Sequence, residues 1–427
     1  MPELISEAYA QALDAANPLA PLRARFHLPH DTIYLDGNSL GLCSRDAETE
    51  AVRALDEWKR LGVGGWLAAD PPWFTLGEEL GALVAPLVGA EPAAVVVGGA
   101  TTVNLHALAA TFYRPAPGRR AVVATALDFP SDLYALRGSI ALRGGDPADD
   151  LRLVASRDGR TIDEADIVAA LDGAALAVLP SVLYRSGQRL DLARLAAAGR
   201  KRGVIVGFDC AHSVGAMPHA FDAWGVDFAV WCSYKYLNGG PGAPGGLYVN
   251  RRHWGTAPAL AGWWGYDKAR QFDMALGWRG AEGAGAWQIS TPSLLACAPL
   301  RGSLRLFADA GIEQVRATSL ALTDYLLDLL VALGLTAEPF GYVIGTPREP
   351  ERRGGHVAVE HPEAARIAQA LKTRGIVPDF RPPNVVRLAP APLSTSFHEL
   401  WQTARALKEI VERGEHLAHA NERGLVA

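Results

Sequence analysis

Two apolar runs, Val204-Ile205-Val206-Gly207-Phe208 and Phe228-Ala229-Val230-Trp231, constrain this chain more than any other feature. They are apolar at successive positions rather than alternate ones, so strands built from them bury both faces. Strands of that kind belong in a largely parallel sheet covered by helices on each side. Comparable runs occur at 94–98, 120–125, 151–155, 176–182 and 246–249, with helical spacing at 101–112, 162–171 and 192–199. The expected architecture is α/β, a mainly parallel seven-stranded sheet flanked by helices.

The first run ends in Asp209, followed by Cys210-Ala211-His212. The second leads into Cys232-Ser233-Tyr234-Lys235-Tyr236-Leu237-Asn238-Gly239-Gly240, in which Lys235 is the only charge. An Asp ending one buried strand and a Lys following the next is the arrangement that a pyridoxal phosphate (PLP) enzyme requires. The Lys forms a Schiff base with the cofactor aldehyde, and the Asp pairs with the protonated pyridine nitrogen. A solitary Lys is ordinarily a solvated surface residue. Among aromatics, desolvation lowers its pKa and leaves a nucleophilic amine. His212 is placed to bond the Asp or touch the ring.

The cofactor phosphate needs donors. Gly98-Gly99-Ala100-Thr101-Thr102-Val103-Asn104 turns from a strand into a helix and offers hydroxyls and N–H groups at a helix N-terminus. Thr101 and Thr102 also suit ordinary helix capping, which is compatible. Phe129-Pro130-Ser131-Asp132 supplies an aromatic for stacking on the pyridine and an acid to orient ring or substrate. Gly240 to Gly245 formally matches a dinucleotide fingerprint, but two prolines interrupt it and a strand follows, so it is read as backbone passing close to the cofactor Lys.

At 427 residues the chain exceeds one compact core. Residues 3–16 read as an amphipathic helix, and a long helical pattern spans 301–333. Beyond it, strands at 356–360 and 384–389 alternate with helices at 362–374 and 396–413, while 341–355 reads as a solvated connection. The expected division is an N-terminal helical segment (1–35) packing with the small domain, a large cofactor-binding domain (36–300) and a small C-terminal α/β domain (301–427). A net charge of −5 gives no sign of nucleic-acid or polyanion binding. Neither an apolar span nor a basic-then-apolar leader is evident, so the expected location is the cytoplasm and no membrane partner is expected. Cys43, Cys210, Cys232 and Cys297 show no metal spacing and read as buried free thiols.

With those residues in place, the chain resembles the kynureninase family of the aminotransferase-like, fold type I PLP enzymes. The motifs that carry the resemblance run in family order over most of the chain. They are Tyr34-Leu35-Asp36-Gly37-Asn38-Ser39-Leu40-Gly41, Thr102-Val103-Asn104-Leu105-His106, Phe129-Pro130-Ser131-Asp132 and Phe208-Asp209-Cys210-Ala211-His212-Ser213, then the Lys235 motif, Gly262-Trp263-Trp264-Gly265 and Ser290-Thr291-Pro292. The resemblance implies that Thr101, Thr102, Tyr234 and Trp264 contact the phosphate, with Thr291 nearby from a second subunit. It implies that Phe129 stacks on the ring and that Asp132, Ser181, Asp209 and His212 meet the ring and its nitrogen. Arg387, in Val385-Val386-Arg387-Leu388, matches the residue that grips the substrate α-carboxylate, and a guanidinium fork suits that task. Asn38, Ser39 and Trp66 are the further substrate contacts implied, with Trp73 an alternative to Trp66.

The activity implied is hydrolysis of the Cβ–Cγ bond of L-kynurenine to anthranilate and L-alanine by a homodimer with shared sites. Lys235 moves the α-proton and Tyr234 acts as proton donor or relay. Two departures stand out: Tyr266 where the family often has His, and a loop at 64–73 of unusual length. The alternative is a cysteine desulfurase or selenocysteine lyase of the same superfamily. Those enzymes need a nucleophilic Cys on a mobile loop and usually carry His directly before the Lys, where this chain has Tyr234. Cys297 sits in an apolar stretch with the texture of helix core. A PLP binder without catalysis is disfavoured by Arg387, a clamp that such a protein would not need.

Overall fold

A computed structural model describes residues 3–422 and 424. The outermost residues of the first and last expected segments (1–2, 423 and 425–427) lie outside the described residues. In chain order the strands are β1 (Ile33–Tyr34), β2 (Val95–Val97), β3 (Ala121–Thr125), β4 (Leu151–Val154), β5 (Ala174–Pro180), β6 (Ile205–Asp209), β7 (Phe228–Cys232) and β8 (Gly245–Val249). They are followed by β9 (Val343–Ile344), β10 (Val357–Glu360), β11 (Ile376–Val377), β12 (Asp379–Arg381) and β13 (Val385–Leu388).

Seven strands form the large sheet in the order β2-β8-β7-β6-β5-β3-β4. All run parallel except β8, which is antiparallel to both neighbours. Every residue of β5, β7 and β8 is buried, as continuous apolar runs demand of strands covered on both faces. This architecture directs chemistry to one edge. Asp209 ends β6 and pairs in register with Val230 of β7, and Lys235 lies three residues past the end of β7. The helix Thr101–Phe112 starts just beyond β2. All three therefore emerge at the carboxyl end of the parallel strands, where open α/β sheets bind ligands.

The smaller sheet is antiparallel, in the order β12-β13-β10-β9, and has its own apolar cluster with the helices Ala364–Thr373 and Phe397–Glu412. The helix Glu7–Ala16 packs on this unit. Both Asp14 oxygens accept from the first N–H groups of Phe397–Glu412 (2.6 and 3.0 Å), and the Trp401 indole donates to the Ile5 carbonyl at 2.8 Å. β1 pairs in parallel with β11, fastening the segment that carries Asn38 and Ser39 beside the second sheet.

Three expectations change. The helical pattern at 301–333 is two helices, Leu294–Ala310 and Ile312–Ala332, divided at Gly311, whose φ of 72° only glycine adopts without strain. Residues 341–355 are not a solvated loop. They include β9, and Arg353 is fully buried, donating to Thr323 Oγ1 (3.1 Å) and pairing with Asp324 (2.5 Å). Such a charge enters a core only with partners already in place. Of the four thiols expected to be buried, Cys43 is exposed.

Candidate active site

A cavity of about 200 Å³ opens at that sheet edge and brings together Asn38, Ser39, Thr101, Thr102, Phe129, Asp132, Asp209, His212, Tyr234, Lys235 and Arg387. The Lys235 amine lies 3.0 Å from His212 Nε2 and 6.0 Å from the Phe129 ring centre. Burial lowers the lysine pKa; the Cys232 and Asp209 side chains oppose that shift, while Arg387 and Arg381 reinforce it. Burial, then Lys235 and Arg387, hold His212 well below the ordinary histidine range. A neutral imidazole at that position accepts from the lysine amine. Backbone approach here is tight: a side chain at Gly41 would strike the Lys235 carbonyl and Asn238.

At the opposite wall, Ala100 precedes the helix Thr101–Phe112 and provides no side-chain cap, so the first-turn N–H groups keep their donors for an anion. Thr101 Oγ1 lies 3.0 Å from Cys232 Sγ, which in turn donates to the Tyr234 hydroxyl at 3.3 Å. Thr102 Oγ1 lies 2.8 Å from Ser131 Oγ. Burial raises the Tyr234 phenol above its ordinary value, so it remains an O–H donor at neutral pH. The Gly240–Gly245 run brings backbone against Thr101 rather than Lys235: a Cβ on Gly245 would sit 2.8 Å from the Thr101 nitrogen.

Three carboxylates line up behind the ring position. Asp209 accepts from the Ala211 N–H at 2.8 Å. Burial raises the Asp209 pKa, with Lys235 opposing. Burial and the Asp209 and Asp128 charges push Asp132 well above the carboxylate range. Burial pushes Asp128 up to about 7 despite its bonds from Thr125 N (3.1 Å) and Thr125 Oγ1 (2.5 Å). Like charges confined together cannot all ionise, so Asp132 holds a proton beside an ionised Asp209.

The third wall is cationic. Arg387 is 1% exposed, donates from Nη1 to the Tyr184 carbonyl (2.6 Å) and from Nη2 to Ser39 Oγ (3.3 Å), and pairs with Asp379. Arg381 also faces the cavity, a residue that the sequence reading missed, as it did Tyr184 and Asp379. The Asn38 amide is fully buried with neither end bonded, poised for a ligand.

Five residues expected at the site sit elsewhere. Ser181 is buried behind Asp209, 2.7 Å from Ser213 Oγ, and does not line the cavity. Trp66 and Thr291 line a separate cavity of about 460 Å³, which shares no lining residue with the first. Trp264 packs against Trp66 (ring centres 5.4 Å) and Phe74 (5.6 Å), with Lys268 Nζ 4.0 Å over its ring. Trp73 meets Trp66 edge-on at 5.9 Å and lines that second cavity too.

The donor set fits PLP. A helix N-terminus with hydroxyls takes a phosphate, an exposed face of Phe129 takes a ring, a buried carboxylate takes a protonated pyridine nitrogen, and a desolvated amine takes an aldehyde. Fold and site together define a fold type I PLP-dependent enzyme.

Solved structures share this fold: an apo cysteine desulfurase from Thermococcus onnurineus NA1 (TM-score 0.75, 20% identity, 92% of this chain and 98% of that one). So does a C-DES variant with glycine covalently linked to its PLP cofactor (TM-score 0.77, 20% identity, 90% and 98%). Residues 315–407 match the family model described as the kynureninase C-terminal domain. The kynureninases of Geobacillus thermodenitrificans and Bacillus cereus are each 50% identical over 420 residues, covering 98% of this chain and 97% of theirs. That of Shouchella clausii is 49% identical over the same share. The chain belongs to the kynureninase family.

Proposed function

We propose that this protein hydrolyses the Cβ–Cγ bond of L-kynurenine, giving anthranilate and L-alanine, within tryptophan degradation and the supply of NAD precursors. 3-Hydroxykynurenine, giving 3-hydroxyanthranilate, is the alternative substrate. The observation that carries this reading is the near-complete alignment at 50% identity with curated kynureninases.

Bound PLP, held by the Thr101 end of its helix, Phe129, Asp209 and Lys235, would supply an aldehyde for the substrate amine and an electron-withdrawing ring. Lys235, whose pKa burial lowers, removes the substrate α-proton. Asp209 keeps the ring nitrogen protonated, assisted by Asp132 beside it. Arg387, Ser39 and Asn38 hold the α-carboxylate side of the substrate, and the Thr101 and Thr102 hydroxyls hold the phosphate. Water adds to the γ-ketone, and the bond to the β-carbon breaks as the aryl acid leaves. Tyr234, held as a neutral phenol, delivers a proton to the β-carbon.

The protein acts as a homodimer in the cytoplasm. Trp66, Trp264 and Thr291 lie away from Lys235 of their own chain, and a second copy brings them to its site. The strongly exposed Phe272, Met274 and Leu276 supply the apolar area that such an interface covers. The division into N-terminal segment (1–35), large domain (36–300) and small domain (301–427) is supported by separate apolar clusters around the two larger sheets. Leu304, Leu306, Phe307 and Val315, however, belong to the large sheet's cluster and Leu322 to the other, which puts the second boundary inside the helix Ile312–Ala332 rather than at 301.

Incubating PLP-loaded protein with L-kynurenine, and separately with L-cysteine, tests the reading. Equimolar anthranilate and alanine are expected from the first. Sulfide from cysteine with no product from kynurenine would favour the desulfurase alternative instead.

A further inference from the structure

Arg381 projects into the active-site cavity, and neither the family motifs nor the expected chemistry gives it a task. Its position follows from strand geometry. β12 and β13 pair antiparallel with Asp379 opposite Arg387 and Arg381 opposite Val385. Side chains two residues apart on a strand share a face, so Asp379, Arg381 and Arg387 occupy one face of this ribbon. Asp379 Oδ2 is their common partner. It accepts from Ser39 Oγ at 2.9 Å and from Arg381 Nη2 at 3.0 Å, and it pairs with Arg387 Nη2.

Arg387 alone is poorly set to grip a carboxylate with two parallel bonds. Both acceptors of its Nη2, Ser39 and Asp379, are already engaged, and its Nη1 donates to the Tyr184 carbonyl. Its Nε–H is buried and without a partner. The Arg381 Nε–H is likewise buried and without a partner, and its Nη1 makes only a long contact, 3.5 Å, with the Phe380 carbonyl. Buried donors in that state are rare and mark a place that a ligand or water completes. Two guanidiniums against the single Asp379 carboxylate leave one net positive charge. Asp36, the next acid, is pushed toward its neutral form by burial, against the pull of Ser39 and of both arginines.

We propose that Arg381 is a substrate-binding residue. With Arg387 it forms a two-guanidinium site in which each oxygen of the substrate α-carboxylate takes one free Nε–H, and Asp379 is the positioning residue that aligns both forks. The proposal rests on the reading that the substrate is an α-amino acid.

Binding of L-alanine to the PLP-loaded protein, followed through the cofactor absorbance, is compared with binding of ethylamine, which lacks the carboxylate. Arg381→Met is expected to weaken L-alanine by about tenfold, the loss of one charge-assisted bond, while ethylamine is unchanged. The same variant raises KM for L-kynurenine by a similar factor and leaves kcat nearly unaltered, and Arg381→Lys recovers part of the loss. Arg387→Met serves as the positive control. An L-alanine affinity within threefold of the parent, or equal losses for L-alanine and ethylamine, would overturn the proposal and return Arg381 to a purely structural partnership with Asp379. Should L-kynurenine not be a substrate at all, the comparison of L-alanine with ethylamine still reads the carboxylate site.

Discussion

Replacing Asp209 with Asn removes one charge and almost nothing else. The amide oxygen can still accept from the Ala211 N–H, now at 2.8 Å, and the side chain keeps its volume at the end of β6. What is lost is the anion that holds a proton on the ring nitrogen. Two unit charges about 4 Å apart interact by roughly 4 kcal/mol at an effective dielectric of about 20. At about 1.4 kcal/mol per tenfold, that is roughly 10³ in rate if the whole term is expressed in the transition state. Part of it returns through Asp132. Burial and the Asp209 charge keep Asp132 protonated, and without that charge its pKa falls and it supplies some negative potential itself. The expected fall in kcat is therefore about 10²–10³, with PLP still bound in equimolar amount. Asp132→Asn alone costs less, because it removes a group that is already neutral. The assay is product formation under saturating substrate beside a cofactor titration. An Asp209→Asn variant within tenfold of the parent, PLP fully bound, would refute the electrostatic account of this carboxylate.

His219 and His356 are buried and, chiefly through that burial, held down at about 3, against about 6.5 in an unfolded chain. A base with a depressed folded pKa is protonated first in the unfolded chain, so the stability it protects is intact above about pH 6.5 and declines as the pH falls toward 3. Urea melts at pH 7 and pH 5 should differ by about 2 kcal/mol for each histidine. His219→Gln should remove about half of that slope, and an unchanged slope would contradict the assignment. Gly41→Ala drives a methyl group into the Lys235 carbonyl, so a loss of about 1–3 kcal/mol in stability and a weakened hold on PLP are expected by calorimetry and cofactor titration. If the proposed homodimer holds, changing exposed Phe272 and Leu276 together to Asp should yield monomers by light scattering, with PLP affinity reduced by loss of the Trp264 and Thr291 contacts proposed across it.

Lys235 and Asp209 are legible in the sequence because Asp209 ends one apolar strand and Lys235 follows three residues after another, and a charge at the rim of such a strand has few reasons to be there. The helix at Thr101 was legible from its glycine turn. The break at Gly311 was not, since the apolar spacing continues across it and only the backbone angle reveals two helices. Arg381 and Asp379 escaped notice because their placement depends on pairing between the short strands β12 and β13, whose link contains Pro382 and Pro383. The alternation Asp379-Phe380-Arg381 facing Val385-Val386-Arg387 was the available signal. Residues 341–355 have the composition of a solvated loop, yet Arg353 is taken inside, and its bonds to buried Thr323 and half-exposed Asp324 explain it.

Hydrolysis of the Cβ–Cγ bond is tested most directly by running one turnover of L-kynurenine in ¹⁸O-labelled heavy water. The account predicts anthranilate with ¹⁸O in its carboxylate and an equal amount of alanine deuterated at the β-carbon, with neither product from Lys235→Ala. Unlabelled anthranilate, alanine without β-deuterium, or turnover by the Lys235→Ala variant would contradict it.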